Sequence, residues 1–278
     1  MKIGIFDSGI GGISLLHEAM KKLPDEQYYF YADVDHVPYG VKSPEQISEY
    51  VEDIVGSFVN MGMDAIVIAC NTATAVAADI VRKEFSIPII GMEPAVKPAV
   101  NRALKTGGKV LVMATPVTIR ENKLKSLIER VDDRHLVELL PMPGLVRLAE
   151  MEKFDGEEVD AYINEQLAVL DRSLYTEVVL GCTHFNYFKP AIIKSFEIEN
   201  SKVDLVDGNE GTVRYLARVL GLDLKENEKV DNIEILDNIE ILDSINVSYY
   251  ESGRLVTEKE KLDKFRRLHQ RLELVNRL

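Results

Sequence analysis

DAIVIACNTATA, residues 64–75, runs apolar and β-branched residues up to a cysteine and then turns to Asn and Thr. A short apolar run of this kind predicts a strand buried on both faces, and the small polar residues after it mark the place where a helix should begin. VVLGCTHF, residues 178–185, repeats the same grammar around Cys182, the only other cysteine in the chain. Working outward, further short apolar runs predict strands at 2–7 (KIGIFD), 27–33 (QYYFYAD), 87–92 (IPIIGM), 109–115 (KVLVMAT) and 136–142 (LVELLPM). Between them lie segments with helix spacing, notably 43–62 and 156–173. Alternation of strand and helix predicts an α/β fold of mainly parallel sheets flanked by helices. In such sheets ligands bind beyond the carboxyl ends of the strands, which is where both cysteines fall.

The plan is stated twice. FDSGIGG (6–12) ends a strand and Cys70 follows Asp7 by 63 residues, while MATPVTIR (113–120) ends another and Cys182 follows Thr115 by 67. Two similar halves are expected, facing each other across a cleft with a thiol on either wall. A literal repeat, DNIEIL at 231–236 and 237–242, predicts only a lengthened edge or loop. The tail from about 253 to 278, rich in Lys, Arg, Leu and Glu at helical spacing, predicts a closing surface helix.

With 278 residues, 46% hydrophobic and 28% charged, the chain can bury a substantial core as one large or two modest α/β domains. A net charge of −13 argues against a nucleic-acid or anionic-membrane surface, since both need clustered Lys and Arg. The start, MKIGIFDSG, lacks the apolar core of a signal peptide, and no window approaches the ~20 apolar residues of a membrane span, so a cytoplasmic protein is expected. Cys70 and Cys182, 112 positions apart and without a CxxC pair, predict free thiols rather than a zinc site or a disulfide scaffold.

Several loops offer chemistry beside a plainer role. Gly9-Ile10-Gly11-Gly12 could cradle an anion at a helix start, or simply make a tight strand-to-helix turn; Asp7 could act as a base, a hydrogen-bond partner or a helix cap. An isolated cysteine is most often a small buried hydrophobe, but Asn71, Thr72 and Thr74 after Cys70 supply donors that would lower a thiol pKa from its usual ~8.5. Thr183 and His184 stand in the same relation to Cys182, and a histidine two residues from a thiol can exchange a proton with it. VPYGVKS (37–43) could overhang the cleft and lend backbone N–H groups or the Tyr39 hydroxyl, or be an ordinary turn before a helix beginning at Ser43 or Pro44. PMPGLVRLAEME (141–152) places Glu150 and Glu152 after a Pro-Gly entry, on a functional or a solvated face.

In this order, IGIFDSGIGGIS (3–14), HVPYGVKS (36–43), IVIACNTATA (66–75), IIGMEPA (89–95), ATPVTIR (114–120) and VVLGCTHF (178–185) resemble the glutamate racemases of the aspartate/glutamate racemase superfamily. The resemblance implies a cofactor-independent, metal-free racemase that interconverts L- and D-glutamate, supplying the D-form for peptidoglycan; racemisation of aspartate or of several acidic amino acids is the alternative. It implies two pseudo-symmetric α/β domains, 1–96 plus 210–278 and 97–209, with the active site between them and a homodimer as the common assembly. Carried onto this sequence, Cys70 and Cys182 are the paired bases and acids, with Asp7, His184 and Glu150 as helpers. The substrate contacts implied are Asp7, Ser8, Tyr39, Gly40, Asn71, Thr72, Thr115, Thr118, Thr183 and His184. The chain departs from the family at Val34, Asp35 and His36, where Thr-Ala-Arg is commoner, and in the stretch before Glu150.

Overall fold

The computed structural model describes residues 1–198, 201–225 and 247–277. The chain opens with β1 (Lys2–Asp7), α1 (Ile13–Lys22), β2 (Gln27–Ala32), α2 (Pro44–Asn60), β3 (Ala65–Ile68), α3 (Asn71–Glu84), β4 (Ile89–Gly91) and α4 (Val96–Thr106). It continues with β5 (Lys109–Ala114), α5 (Pro116–Arg120), α6 (Asn122–Val131), β6 (Val137–Pro141), α7 (Pro143–Glu150), α8 (Glu157–Leu167), β7 (Tyr175–Gly181), α9 (Lys189–Glu197), β8 (Asp204–Asp207) and α10 (Asn209–Leu220). After the undescribed stretch come β9 (Val247–Glu251), β10 (Arg254–Leu255) and α11 (Lys259–Val275). The DNIEIL repeat at 231–242 lies outside the described residues.

Two sheets result, ordered β10-β9-β2-β1-β3-β4 and β6-β5-β7-β8. Every pairing is parallel except β9 with β10. The strand order 2-1-3-4 of the first sheet recurs as 6-5-7-8 in the second. In both, the chain leaves one central strand toward one edge and returns on its other side, so a switch point opens between β1 and β3 and another between β5 and β7. Crevices form at such points because the connecting loops diverge there. Pairing Phe6 with Ile68 sets Ser8 alongside Cys70, and pairing Ala114 with Gly181 sets Thr115 alongside Cys182.

Side-chain patterning explains the layers. β3 is buried at all four positions and β1 at all but Lys2, as strands covered on both faces must be. Helices α2 and α3 cover one face of the first sheet, around Val51, Phe58 and Ala77, and α4 and α6 cover one face of the second, around Val100 and Leu124. The remaining faces share a single apolar cluster that includes Ile5 and Phe30 from one sheet and Leu111, Met113 and Leu180 from the other.

Three expectations need correction. The helical segment 156–173 ends at Leu167, and Arg172–Leu174 forms a separate 3-10 turn. The closing helix is not a surface feature alone: Phe265, Leu268, His269, Leu272 and Val275 of α11 are buried, and Phe265 stacks on Tyr249 of β9 at 4.4 Å between ring centroids. At the start of the stretch expected to be that helix, Arg254–Leu255 instead forms β10, which pairs with β9. Among the described residues no helix is long and apolar enough to cross a membrane.

Candidate active site

Asp7 ends β1 and is fully buried; its Oδ1 accepts the Gly9 N–H at 3.0 Å and its Oδ2 accepts the Thr183 hydroxyl at 3.0 Å. Thr183 belongs to the loop of the other sheet, so this bond joins the two walls. Burial raises Asp7 to about 6, against the opposing His184 charge and the two hydrogen bonds. Cys70 sits at the N-cap of α3, where its Sγ accepts the Ala73 N–H at 3.4 Å and lies 3.6 Å from Ser8 Oγ.

The helix start does not lower this thiol. Burial, with the Asp7 charge next in size, pushes Cys70 up to about 12 despite the Ala73 and Ser8 contacts. The expectation of a depressed thiol pKa counted donors that the sequence displays and omitted the desolvation that it does not. Cys70 is therefore held as a thiol. The Cys182 sulfur adds a smaller push in the same direction.

On the second wall, Cys182 Sγ lies 3.8 Å from His184 Nδ1, and His184 Nε2 lies 2.7 Å from Glu150 Oε1. Burial disfavours the imidazolium, but the hydrogen bonds to Cys182 and Glu150 outweigh it and hold His184 well above the usual imidazole range. Burial likewise works to raise Glu150, yet its bond to His184, the His184 charge, the Ile10 N–H and the Lys264 charge leave it below the usual carboxylate range. The result is a carboxylate–imidazolium pair whose Nδ1 faces a sulfur. Glu152, the other candidate carboxylate, turns outward and pairs with Arg267 at 3.0 Å.

The glycine loop is explained by this second wall. A Cβ on Gly9 would lie 1.9 Å from Glu150 Oε1, and one on Gly11 would lie 2.4 Å from His184 Nδ1 and from Thr183 Oγ1. The anion cradle suggested by the sequence is filled by the protein itself: Ile10 N–H donates to Glu150 at 2.9 Å. Only glycine lets the two loops meet at this spacing.

Thr72, Thr115 and Thr118 form a buried trio of hydroxyls, 2.9–3.1 Å apart, between the loops of the two sheets. Gly40 abuts it, since a Cβ there would lie 2.7 Å from Thr115 Cβ. Tyr39 is buried, but its hydroxyl donates to Asp33 at 2.6 Å and is not free for a ligand. Asn71 donates to Met92 Sδ at 3.6 Å and leaves its buried Oδ1 without a partner among the described residues. Sequence reasoning missed Asp33, a buried carboxylate that also accepts from Ser252 and meets His36. Its position at the tip of β2, where Asp7 stands on β1, was the available signal.

Residues 12–216 match the Asp/Glu/Hydantoin racemase family. The chain belongs to that family. It is 43% identical to the glutamate racemase of Lachnospira eligens over 278 residues, covering all of both chains. Among solved structures, it is similar to the glutamate racemase of Francisella tularensis in complex with D-glutamate, with a TM-score of 0.73, 26% identity, and 96% and 92% of the two chains covered. It is also similar to Escherichia coli glutamate racemase in complex with L-glutamate and the activator UDP-MurNAc-Ala, with a TM-score of 0.72, 27% identity, and 92% and 99% covered. In this racemase-family chain, bonds between the loops of the two sheets join Thr183 to Asp7, Glu150 to Ile10, and Thr72 to Thr115 and Thr118.

Proposed function

We propose that this chain interconverts L- and D-glutamate by proton transfer at Cα between two sulfurs, without a cofactor. The observation that carries the reading is the pairing of walls: Cys70 with Asp7 and Ser8 on one, Cys182 with His184 and Glu150 on the other, joined by the Thr183–Asp7 bond. Inversion at carbon needs a base on one face and an acid on the other, since one fixed base would return the proton to the face it left. One sulfur, as thiolate, takes the Cα proton and becomes a thiol; the opposite thiol gives its proton to the carbanion and becomes a thiolate. The reverse reaction exchanges the roles.

Cys70, held as a thiol, is poised as donor, while Asp7, His184 and Glu150 hold and exchange protons behind the sulfurs. The hydroxyls of Thr72, Thr115, Thr118 and Thr183, with Ser8, Asn71 and the backbone at Tyr39 and Gly40, are the groups we assign to glutamate. Hydroxyls that now satisfy one another can turn to the substrate carboxylates, where negative charge builds as the proton leaves. The same reading carries the division into 1–96 plus 210–278 and 97–209, a cytoplasmic homodimer, and D-glutamate supply to peptidoglycan.

The test is circular dichroism of purified protein with D-glutamate, L-glutamate and aspartate and no added cofactor. Loss of optical rotation with both glutamate enantiomers is expected, and comparable turnover of aspartate would replace the substrate assignment. Cys70→Ser and Cys182→Ser should each abolish turnover while keeping the folded far-ultraviolet spectrum. In D₂O, deuterium should enter the product enantiomer well before the recovered substrate; simultaneous labelling of both would sink the two-base assignment.

A further inference from the structure

We infer that Tyr187 and Arg271 are positioning residues for the Cys182 side of the reaction, and that the C-terminal helix braces the active site through them. The inference rests on the two-thiol reading above and extends it to residues outside the site. Tyr187 is fully buried in the 3-10 segment Thr183–Phe188, three residues from His184. Its hydroxyl crosses to the other wall and donates to the Ile10 carbonyl at 2.9 Å. Ile10 is thus held at both ends, because its N–H donates to Glu150 Oε1, the oxygen that also meets His184 Nε2.

From behind, Arg271 of α11 donates to the Tyr187 carbonyl from Nε at 3.2 Å and from Nη2 at 3.0 Å. The guanidinium is fixed in turn by a bidentate pair with Asp155, at 2.7 and 2.8 Å. The Phe154 ring packs on Tyr187, 4.8 Å between centroids. A continuous line of contacts therefore runs from α11 through Tyr187 and Ile10 to the carboxylate that orients the His184 imidazole. If Tyr187 loses its hydroxyl, the Ile10 peptide is released, Glu150 follows it, and the imidazole tilts from Cys182. A displacement of this kind, below 1 Å, changes the rate of proton transfer more than the affinity for substrate.

The test compares wild type with Tyr187→Phe on glutamate carrying deuterium at Cα. We expect kcat to fall about tenfold in both directions with KM within about twofold. The primary isotope effect should rise for one enantiomer only, since only the transfer at Cys182 slows. Arg271→Gln should give a smaller loss of about three- to fivefold, Arg271→Lys should recover at least half of it, and the double variant should be no worse than Tyr187→Phe alone, because Arg271 acts through Tyr187. If Tyr187→Phe does not fold, Arg271→Gln carries the same isotope measurement from a position at the rim. Unchanged kcat, or isotope effects that rise equally for both enantiomers, overturns the inference. A wild type that does not racemise glutamate would instead defeat the functional reading; the brace then stands or falls on the ¹⁵N shifts of the His184 ring, which Tyr187→Phe must move.

Discussion

Asp7 is a carboxylate kept from water, and the consequence is measurable as stability. Its folded value of about 6 lies above the 3.8 of an exposed aspartate, so the fold favours the neutral acid. That contribution is complete below pH 3.8 and is lost as pH rises to 6, above which the buried charge is a net cost on the order of 3 kcal/mol. Asp7→Asn should therefore gain stability over wild type between pH 4 and pH 7, with little difference at pH 3.5; thermal melts at the three pH values check it. Activity should fall at the same time, since the proton that Asp7 handles is gone.

Gly11 tests the opposite kind of constraint. With a Cβ 2.4 Å from His184 Nδ1, Gly11→Ala must drive the loop and the imidazole apart, and kcat should drop about a hundredfold while the protein stays folded. Retention of more than half the rate would show that the loops are not held at this spacing. Both residues were visible in the sequence as chemistry-bearing types. What could not be seen was the cause: Asp7 is perturbed by burial and by His184, and Gly9 is required by Glu150, 141 positions away in the chain.

The elements that sequence patterning predicts best are those whose burial is uniform. β1, β3, β5 and β7 are apolar runs bounded by polar loops, and each ends within two residues of its predicted end. β8 and β9 escaped prediction because DLVD, an edge strand, and VSYYE, next to the two-residue edge strand β10, are only partly buried and have too few apolar residues to stand out. α11 was misjudged for a related reason: its charged face dominates the composition, while one narrow stripe is buried. That stripe carries a titratable contact. His269 Nδ1 lies 3.1 Å from His17 Nδ1 of α1, and its Nε2 lies 3.2 Å from the Tyr249 hydroxyl of β9. His17 meets Glu273 at 3.2 Å, and Lys21 and Arg277 also face that carboxylate.

Burial, and then the neighbouring His17, hold His269 well below the usual imidazole value of 6.5. A depressed histidine supports the fold above 6.5, and the support is lost as pH falls below it, by at most about 1.4 kcal/mol per pH unit. Glu273, held at about 2, starts to lose its contribution only below its ordinary 4.5, and Asp7, which titrates between 3.8 and 6, does so alike in wild type and in His269→Gln, so the difference between those two proteins from pH 6.5 to 5 belongs to the histidine. In that window the wild type should lose stability relative to His269→Gln, and amide exchange in α11 should rise first. A gap between the two proteins that stays constant with pH would refute this.

At the scale of the molecule, repeated strand order and shared core pull in different directions. The order 2-1-3-4, found again as 6-5-7-8, describes two units, and the paired cysteine motifs made that repetition legible before any coordinates. The apolar cluster describes one unit. Ile5 and Phe30 of the first sheet, Leu111 and Leu180 of the second, and Phe185, Phe188 and Leu268 between them belong to one continuous body of buried side chains. No periodicity in a sequence reports which apolar faces of two sheets meet, so this continuity was hidden.

Energetics decides between the descriptions. Separating the sheets would expose several large side chains at about 1.5–3 kcal/mol each, comparable to the whole stability of a domain of this size. Urea unfolding should accordingly be one transition, coincident by circular dichroism and by tyrosine fluorescence. Residues 97–209 expressed alone should keep helical signal yet bind ANS and melt without a cooperative midpoint, since their half of the cluster would face water. A fragment that folds cooperatively and excludes the dye would mean that the halves are autonomous. In that event Tyr187–Ile10 and Thr183–Asp7 would be contacts that a hinge motion opens, and the line from α11 to Cys182 would be intermittent rather than permanent.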